Sequence, residues 1–123
     1  MHAFANPARF LRIARPLTPV LLLSGLAITA AALGYGLFYA PAERLQGETV
    51  RILFIHVPAA WLGMAGWSAI ALASLVELVW RHPLAALAAR GSAAPGAVFA
   101  ALCLASGSLW GRPAWGAWWV WDA

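Results

Sequence analysis

Residues 17–40, from Leu17 to Ala40, contain no charged side chain. As a helix rising about 1.5 Å per residue, this run is long enough to cross a hydrocarbon core about 30 Å thick. No other feature restricts the fold so strongly, because such a helix has no polar side to offer water. A cleaved secretory leader would have an apolar region of only about 7–15 residues, shorter than this one. The pattern recurs in residues 52–80, "ILFIHVPAAWLGMAGWSAIALASLVELVW", and in a shorter run from Pro95, "PGAVFAALCLASGSLW". Composition agrees: 63% of the chain is hydrophobic and 10% is charged, against roughly 25% charged in a soluble domain. The expected fold is therefore all-α, an integral membrane helical bundle. It has about three transmembrane helices, near residues 17–40, 57–80 and 93–110, and a tryptophan-rich segment at 110–123.

The charges suggest an orientation. The net charge of +4 comes entirely from arginine. The arginines are scattered between apolar runs and build no basic face, so nothing supplies the phosphate contacts on which nucleic-acid binding depends. Arg9, Arg12 and Arg15 lie in residues 1–16 without an acid, and Arg81 and Arg90 lie in residues 81–94 without one. Both segments read as cytoplasmic by the bias of arginine toward that side. Residues 41–51, "PAERLQGETVR", balance Glu43 and Glu48 against Arg44 and Arg51 and read as an outer loop. The N-terminus is then inside, residues 1–16 form a basic cytoplasmic tail on the lipid surface, and residues 17–123 form one membrane domain. Tyr35 and Tyr39 suit the outer interface of the first span. Glu77 and Arg81, four apart with the acid first, suit a helix-surface pair.

Two features converge on the outer side. The first is His56 in "RILFIHVPAAW". Pro58 suits the first turn of a helix, and Val57 before it is pushed toward extended geometry. On this reading His56 stands just before the helix with its ring free to meet a neighbour. An ionisable residue in such a setting is a functional candidate, and histidine is a common axial ligand of haem iron. Ala59, Gly63, Ala65 and Gly66 behind it suit close helix packing. The second feature is "WGRPAWGAWWVWDA", residues 110–123, with five tryptophans. Gly111-Arg112-Pro113 reads as a helix break. If a short helix restarts near Pro113, then Trp115, Trp118, Trp119 and Asp122 share one face, with Trp121 to the side and Gly116 leaving room for a ligand. An aromatic belt needs only one or two tryptophans at a span end, as Trp61 and Trp80 can supply. The indoles of Trp115, Trp118 and Trp119 would offer a flat apolar bed, and Arg112 a cation beside it. Cys103 has no cysteine partner and reads as a packing residue. His2 and His82 read as solvated.

The tryptophan-rich stretch resembles the "WWD" segment of the haem-handling membrane proteins of cytochrome c biogenesis. "RILFIHVPAAWLG" resembles, more narrowly, the histidine-bearing segment of the CcmC branch of that family. The two together, in this order, cover most of residues 44–123. The resemblance implies a six-span protein of the bacterial inner membrane, of which this chain is the N-terminal half. It implies haem b, bound non-covalently and transiently at the periplasmic face between two axial histidines. His56 would stand in the first histidine's place. Trp110, Gly111, Trp115, Gly116, Trp118, Trp119, Trp121 and Asp122 would form the tryptophan-rich motif. It further implies transfer to the haem chaperone CcmE, in association with the CcmAB transporter and CcmD, and no catalysis by this protein itself. Two rivals stand beside it. A permease subunit for haem or another hydrophobic solute would place polar or broken helix at mid-depth, and a structural membrane subunit would bind no ligand. The orientation is checked by labelling. A thiol reagent added from the periplasmic side should reach Gln46→Cys and not Gly91→Cys, and the reverse pattern would invert the assignment.

Overall fold

The computed structural model describes residues 6–121. Its regular elements are helical, and three of the described stretches are each long and apolar enough to cross a membrane: Pro7–Tyr39, Glu48–Trp80 and Pro83–Trp115. The first stretch is helix α1, Pro7–Gly34, continued by a π turn over Tyr35–Tyr39. A 3₁₀ turn, Glu48–Ile52, leads into α2, Leu53–Trp80. Helix α3 runs over Pro83–Trp115.

α1 starts well before the apolar run. Asn6 caps it, its side chain accepting from the N–H of Ala8 at 3.0 Å and of Arg9 at 3.4 Å, and Pro7 occupies the first turn, where a missing N–H costs nothing. Residues 7–16, expected as a tail, are thus helical. None of α1's residues is buried. The π turn that follows it meets the rest, with Gly36 buried against Phe54; a Cβ at Gly36 would collide with that ring.

α2 and α3 form a tight antiparallel hairpin. Its turn is two residues long: Arg81 takes the left-handed conformation (φ 49°), and His82 is extended, as Pro83 requires of the residue before it. The His82 ring then caps α3, Nδ1 accepting from the Leu84 N–H at 3.3 Å. α3 therefore begins at Pro83 and not near residue 93, and Pro95 lies inside it. Most of the segment 81–94, read as cytoplasmic and placed ahead of the third span, is thus part of the same helix. Arg81 donates its N–H to the Glu77 carbonyl at 2.8 Å, but the Glu77 and Arg81 side chains form no ion pair.

Small residues let the two backbones touch. The Cβ position at Gly63 lies 3.3 Å from the Ala100 nitrogen, and that at Gly66 lies 2.6 Å from the Gly96 Cα. Ala59, at 3% exposure, continues the same stripe. His56, Ala59, Gly63 and Gly66 recur at helical spacing, so the stripe that faces α3 begins at His56. This packing accounts for the main departure at Pro58. The residue stands inside α2, its missing N–H costing one bond to the Phe54 carbonyl, and His56 is in the helix's first turn instead of the extended strand before it.

The loop between the π turn and α2 is ordered by its own side chains. The Glu43 carboxylate accepts from the N–H groups of Leu45 and Gln46, both at 2.8 Å. Arg51 pairs with Glu48 and donates to the Leu37 carbonyl. Those backbone donors, Gln46 first and Leu45 next, hold the Glu43 carboxyl below its ordinary value of 4.5.

Two expectations follow. Gly66→Ala must push α2 from α3, because the new methyl would meet backbone. It should destabilise the hairpin by about 1–3 kcal/mol in detergent unfolding, whereas Gly25→Ala on α1, with nothing within 4 Å, should be neutral or better. Glu43 has a lowered folded pKa, so its contribution to loop order is complete above 4.5 and is lost as pH falls through the folded value. Glu43→Gln should remove that contribution at neutral pH, seen as faster hydrogen exchange at Leu45 and Gln46; unchanged exchange would show that the carboxylate does not order the loop.

Candidate functional site

The end of the hairpin opposite the Arg81–His82 turn carries a cleft of about 700 Å³, lined by His56, Gly107, Ser108, Trp110, Gly111, Trp115, Ala117, Trp118, Trp119 and Val120. Its volume falls in the range of roughly 300–1,000 Å³ usual for small-molecule sites. Three parts of the chain build it: the first turn of α2, the last turns of α3, and the segment after α3.

α3 is not broken at Gly111-Arg112-Pro113. It continues to Trp115 and ends at Gly116, whose φ of 79° is the left-handed conformation glycine adopts most easily, and whose N–H donates to the Arg112 carbonyl at 2.8 Å. No helix restarts among the described residues; residues 117–121 are irregular. Trp115, Trp118 and Trp119 therefore share no helical face. The turn at Gly116 folds residues 117–120 back across the end of α3, and Gly111 makes room: a Cβ there would stand 3.3 Å from the Ala117 carbonyl oxygen and 3.4 Å from the Trp115 ring. Gly116 itself has open space around its Cβ position, and its positive φ makes it the turn that reverses the chain. Asp122 lies outside the described residues.

The indoles meet edge to face. Trp110 and Trp115 have centroids 4.8 Å apart and planes at 84°, and Trp119 and Trp121 are at 5.5 Å and 68°, the geometry aromatic quadrupoles favour. The Arg112 guanidinium lies 4.6 Å from the Trp118 ring centroid, a cation–π contact. Trp118 and Trp119 are about half exposed, Trp115 more so, and Trp121 is 91% exposed. The rings thus form walls and a rim around an open cleft.

His56 is half-buried at the cleft's inner side. Its Nδ1 lies 3.1 Å from both the Cys103 carbonyl and Ser106 Oγ, and 3.9 Å from Cys103 Sγ. The ring also packs on Gly107, where a Cβ would stand 3.1 Å from Cε1. Nε2 has no hydrogen-bond partner among the described residues, and no unpartnered side-chain nitrogen is buried there, so Nε2 is on the accessible edge. A neutral imidazole with one nitrogen engaged and the other accessible is suited to ligate a metal.

The structure therefore brings together His56, Trp110, Gly111, Trp115, Trp118 and Trp119, leaves Arg112 and Gly116 as supports behind them, and puts Trp121 at the rim. Sequence reasoning missed Ser106, the Cys103 carbonyl and Gly107, which hold the histidine. It also missed Gln46, whose Oε1 accepts from the Trp110 indole N–H at 3.1 Å and ties the loop before α2 to the cleft. The helical repeat counted back from Trp110 passes through Gly107, Ser106 and Cys103, and is the signal that points to them. A second cleft of about 560 Å³ lies at the hairpin turn, among Ser74, Glu77, Leu78, Arg81, His82, Pro83 and Ala86; it holds none of these features.

Comparison with known proteins agrees with the sequence resemblance. The family model for CcmC, "Heme exporter protein C", matches residues 1–123. A "Heme exporter protein C" of Bradyrhizobium diazoefficiens is 50% identical over 119 residues, covering 97% of this chain and 45% of the relative. That of Paracoccus denitrificans is 40% identical, covering 97% and 49%, and that of Escherichia coli K12 is 39% identical, covering 100% and 50%. The chain spans about half the length of these relatives. With a match along its whole length, it belongs to the CcmC, or heme exporter protein C, family.

Proposed function

We propose that this chain forms the haem-binding half-site of a membrane protein of cytochrome c biogenesis. Haem b is its cargo, held non-covalently and transiently against Trp115, Trp118 and Trp119, with His56 Nε2 as one axial ligand. The single observation that carries this reading is His56 itself: Nδ1 tied to α3, Nε2 accessible, in an indole-lined cleft.

The residues suit such a cargo. Porphyrin is planar and largely apolar, and indoles offer rigid area that loses little entropy on contact. Arg112, stacked on Trp118, is the cation beside the cleft and would meet a propionate in a charge-assisted bond. Trp110, fixed by Gln46, walls the cleft; Gly111 and Gly116 shape its fold-back; Trp121 extends the rim. Asp122 would orient a partner group or the loop. The protein binds and presents; bond-making belongs to its partners. In this role the N-terminus is cytoplasmic, the cleft faces the periplasm across the bacterial inner membrane, and the haem passes to CcmE in association with CcmAB and CcmD. A permease reading is less well supported, because the helical stretches 48–80 and 83–115 run without a break at mid-depth and the unusual residues gather at one end.

The test is haem content in protein purified from haem-replete cells. His56→Ala should lose the Soret band or shift it, and His82→Ala should not. Trp→Ala at 115, 118 or 119 should each lower retention roughly 2- to 12-fold, the equivalent of about 0.5–1.5 kcal/mol per aromatic contact. Trp80→Ala should leave it intact. An effect at Trp80 equal to the other three would make the tryptophans membrane anchors.

A further inference from the structure

The hydrogen bonds of His56 determine which of its nitrogens can bind a metal. The Cys103 carbonyl oxygen, 3.1 Å from Nδ1, can only accept. Ser106 Oγ, also 3.1 Å from Nδ1, gives its own proton to the Leu102 carbonyl at 2.6 Å, with the Cys103 carbonyl at 3.2 Å, and so offers Nδ1 a lone pair. Two acceptors facing one ring nitrogen require that nitrogen to carry the proton. The opposite tautomer would set the Nδ1 lone pair against the carbonyl oxygen. Ser106 is 6% exposed and belongs to the buried face of α3, so water does not replace it. Gly107, with its Cβ position 3.1 Å from Cε1, keeps the ring flat against α3.

We infer that Ser106, with the Cys103 carbonyl, is a positioning residue that holds His56 as the Nδ1–H tautomer, leaving the Nε2 lone pair free for an iron-centred ligand in the cleft. This rests on the haem-binding reading above and adds the group that prepares the ligand. Hydrogen-bond acceptors behind a metal-bound histidine fix its ring and raise its basicity, and removing one typically costs about 10–100-fold in affinity or activity. Here one of two acceptors is removable by mutation, so the lower end applies.

The experiment uses the full chain in detergent, with isotopically labelled histidine and without added haem. Two-bond nitrogen–proton NMR should show His56 as the neutral Nδ1–H form. An Nε2–H form in the unmodified protein would overturn the inference. In Ser106→Ala the Nδ1–H share should fall, and in parallel haem retention should drop about 10-fold and the Soret and α bands should shift. Ser106→Thr, which keeps the hydroxyl, should restore all three. A tautomer, retention and spectrum unchanged in Ser106→Ala would equally overturn it. Helical circular dichroism and elution volume report whether the variant folds. Gly107→Ala is the second variant: it keeps both acceptors but tilts the ring, and should reduce the Nδ1–H share without touching Ser106. The two readings fail separately. Loss of haem in His56→Ala with an Nε2–H ring sinks only the positioning role. Full haem retention in His56→Ala sinks the functional reading and this inference with it.

Discussion

The contact on which the rest depends is between two backbones. Gly66 and Gly96 approach so closely that a single methyl has no place between them. In lipid there is no hydrophobic gain from pressing two apolar helices together, and close packing must supply the attraction. Small residues at 59, 63 and 66 on α2 and at 96 and 100 on α3 make that possible. Their register then decides what lies further along each helix. Moving outward from Gly66, the stripe reaches His56; moving outward from Gly96, it reaches Cys103, Ser106 and Gly107. The histidine is aimed at those three groups because glycines several turns below it have set the two helices in phase.

Much of the fold is legible in composition, because charge depletion over a span's length leaves few alternatives. The three spans, the small-residue packing of α2 and the gathering of His56 with the tryptophans at one end can all be read from the residues. The errors share a cause. Pro58, Pro95 and Gly111-Arg112-Pro113 all read as helix boundaries, and all lie within helices. Proline's cost is one hydrogen bond and a local steric conflict. Against it stands the cost in lipid of leaving several backbone groups without partners, which is larger. Water would have shared that cost at a break; hydrocarbon does not. Breaker residues therefore lose their usual meaning here, and His56 sits in a helix although the step after it favours extended backbone.

The tryptophan segment shows a different case, where one local signal carries more than one meaning. Gly116 has a positive φ, which ends α3 and reverses the chain, beside the open space around it. The spacing of Trp115, Trp118 and Trp119 matched a helical face, yet a tight reversal brings the same three rings to one cleft by another route. Spacing alone could not separate the two, because both place residues three and four apart near each other. The partner of Trp110 was beyond reach of any periodicity: Gln46 is 64 positions away, in a loop whose shape depends on Glu43 accepting its neighbours' N–H groups.

The cleft's openness bears on the proposed role. A protein that keeps its haem surrounds it, and gains from every buried edge. Here the walls are half-exposed indoles held by one another, by Arg112 and by Gln46, while the histidine is braced at Nδ1 by two groups of α3. Rigidity is concentrated at the ligand, and the apolar contacts are left individually modest. That division suits a cargo that has to be oriented on arrival and then given up. A pre-set tautomer removes the need to rearrange protons when iron binds, and shallow aromatic contacts can be surrendered one ring at a time to an approaching partner. In a deep pocket the same contacts would have to break together, and the barrier to transfer would rise with each of them.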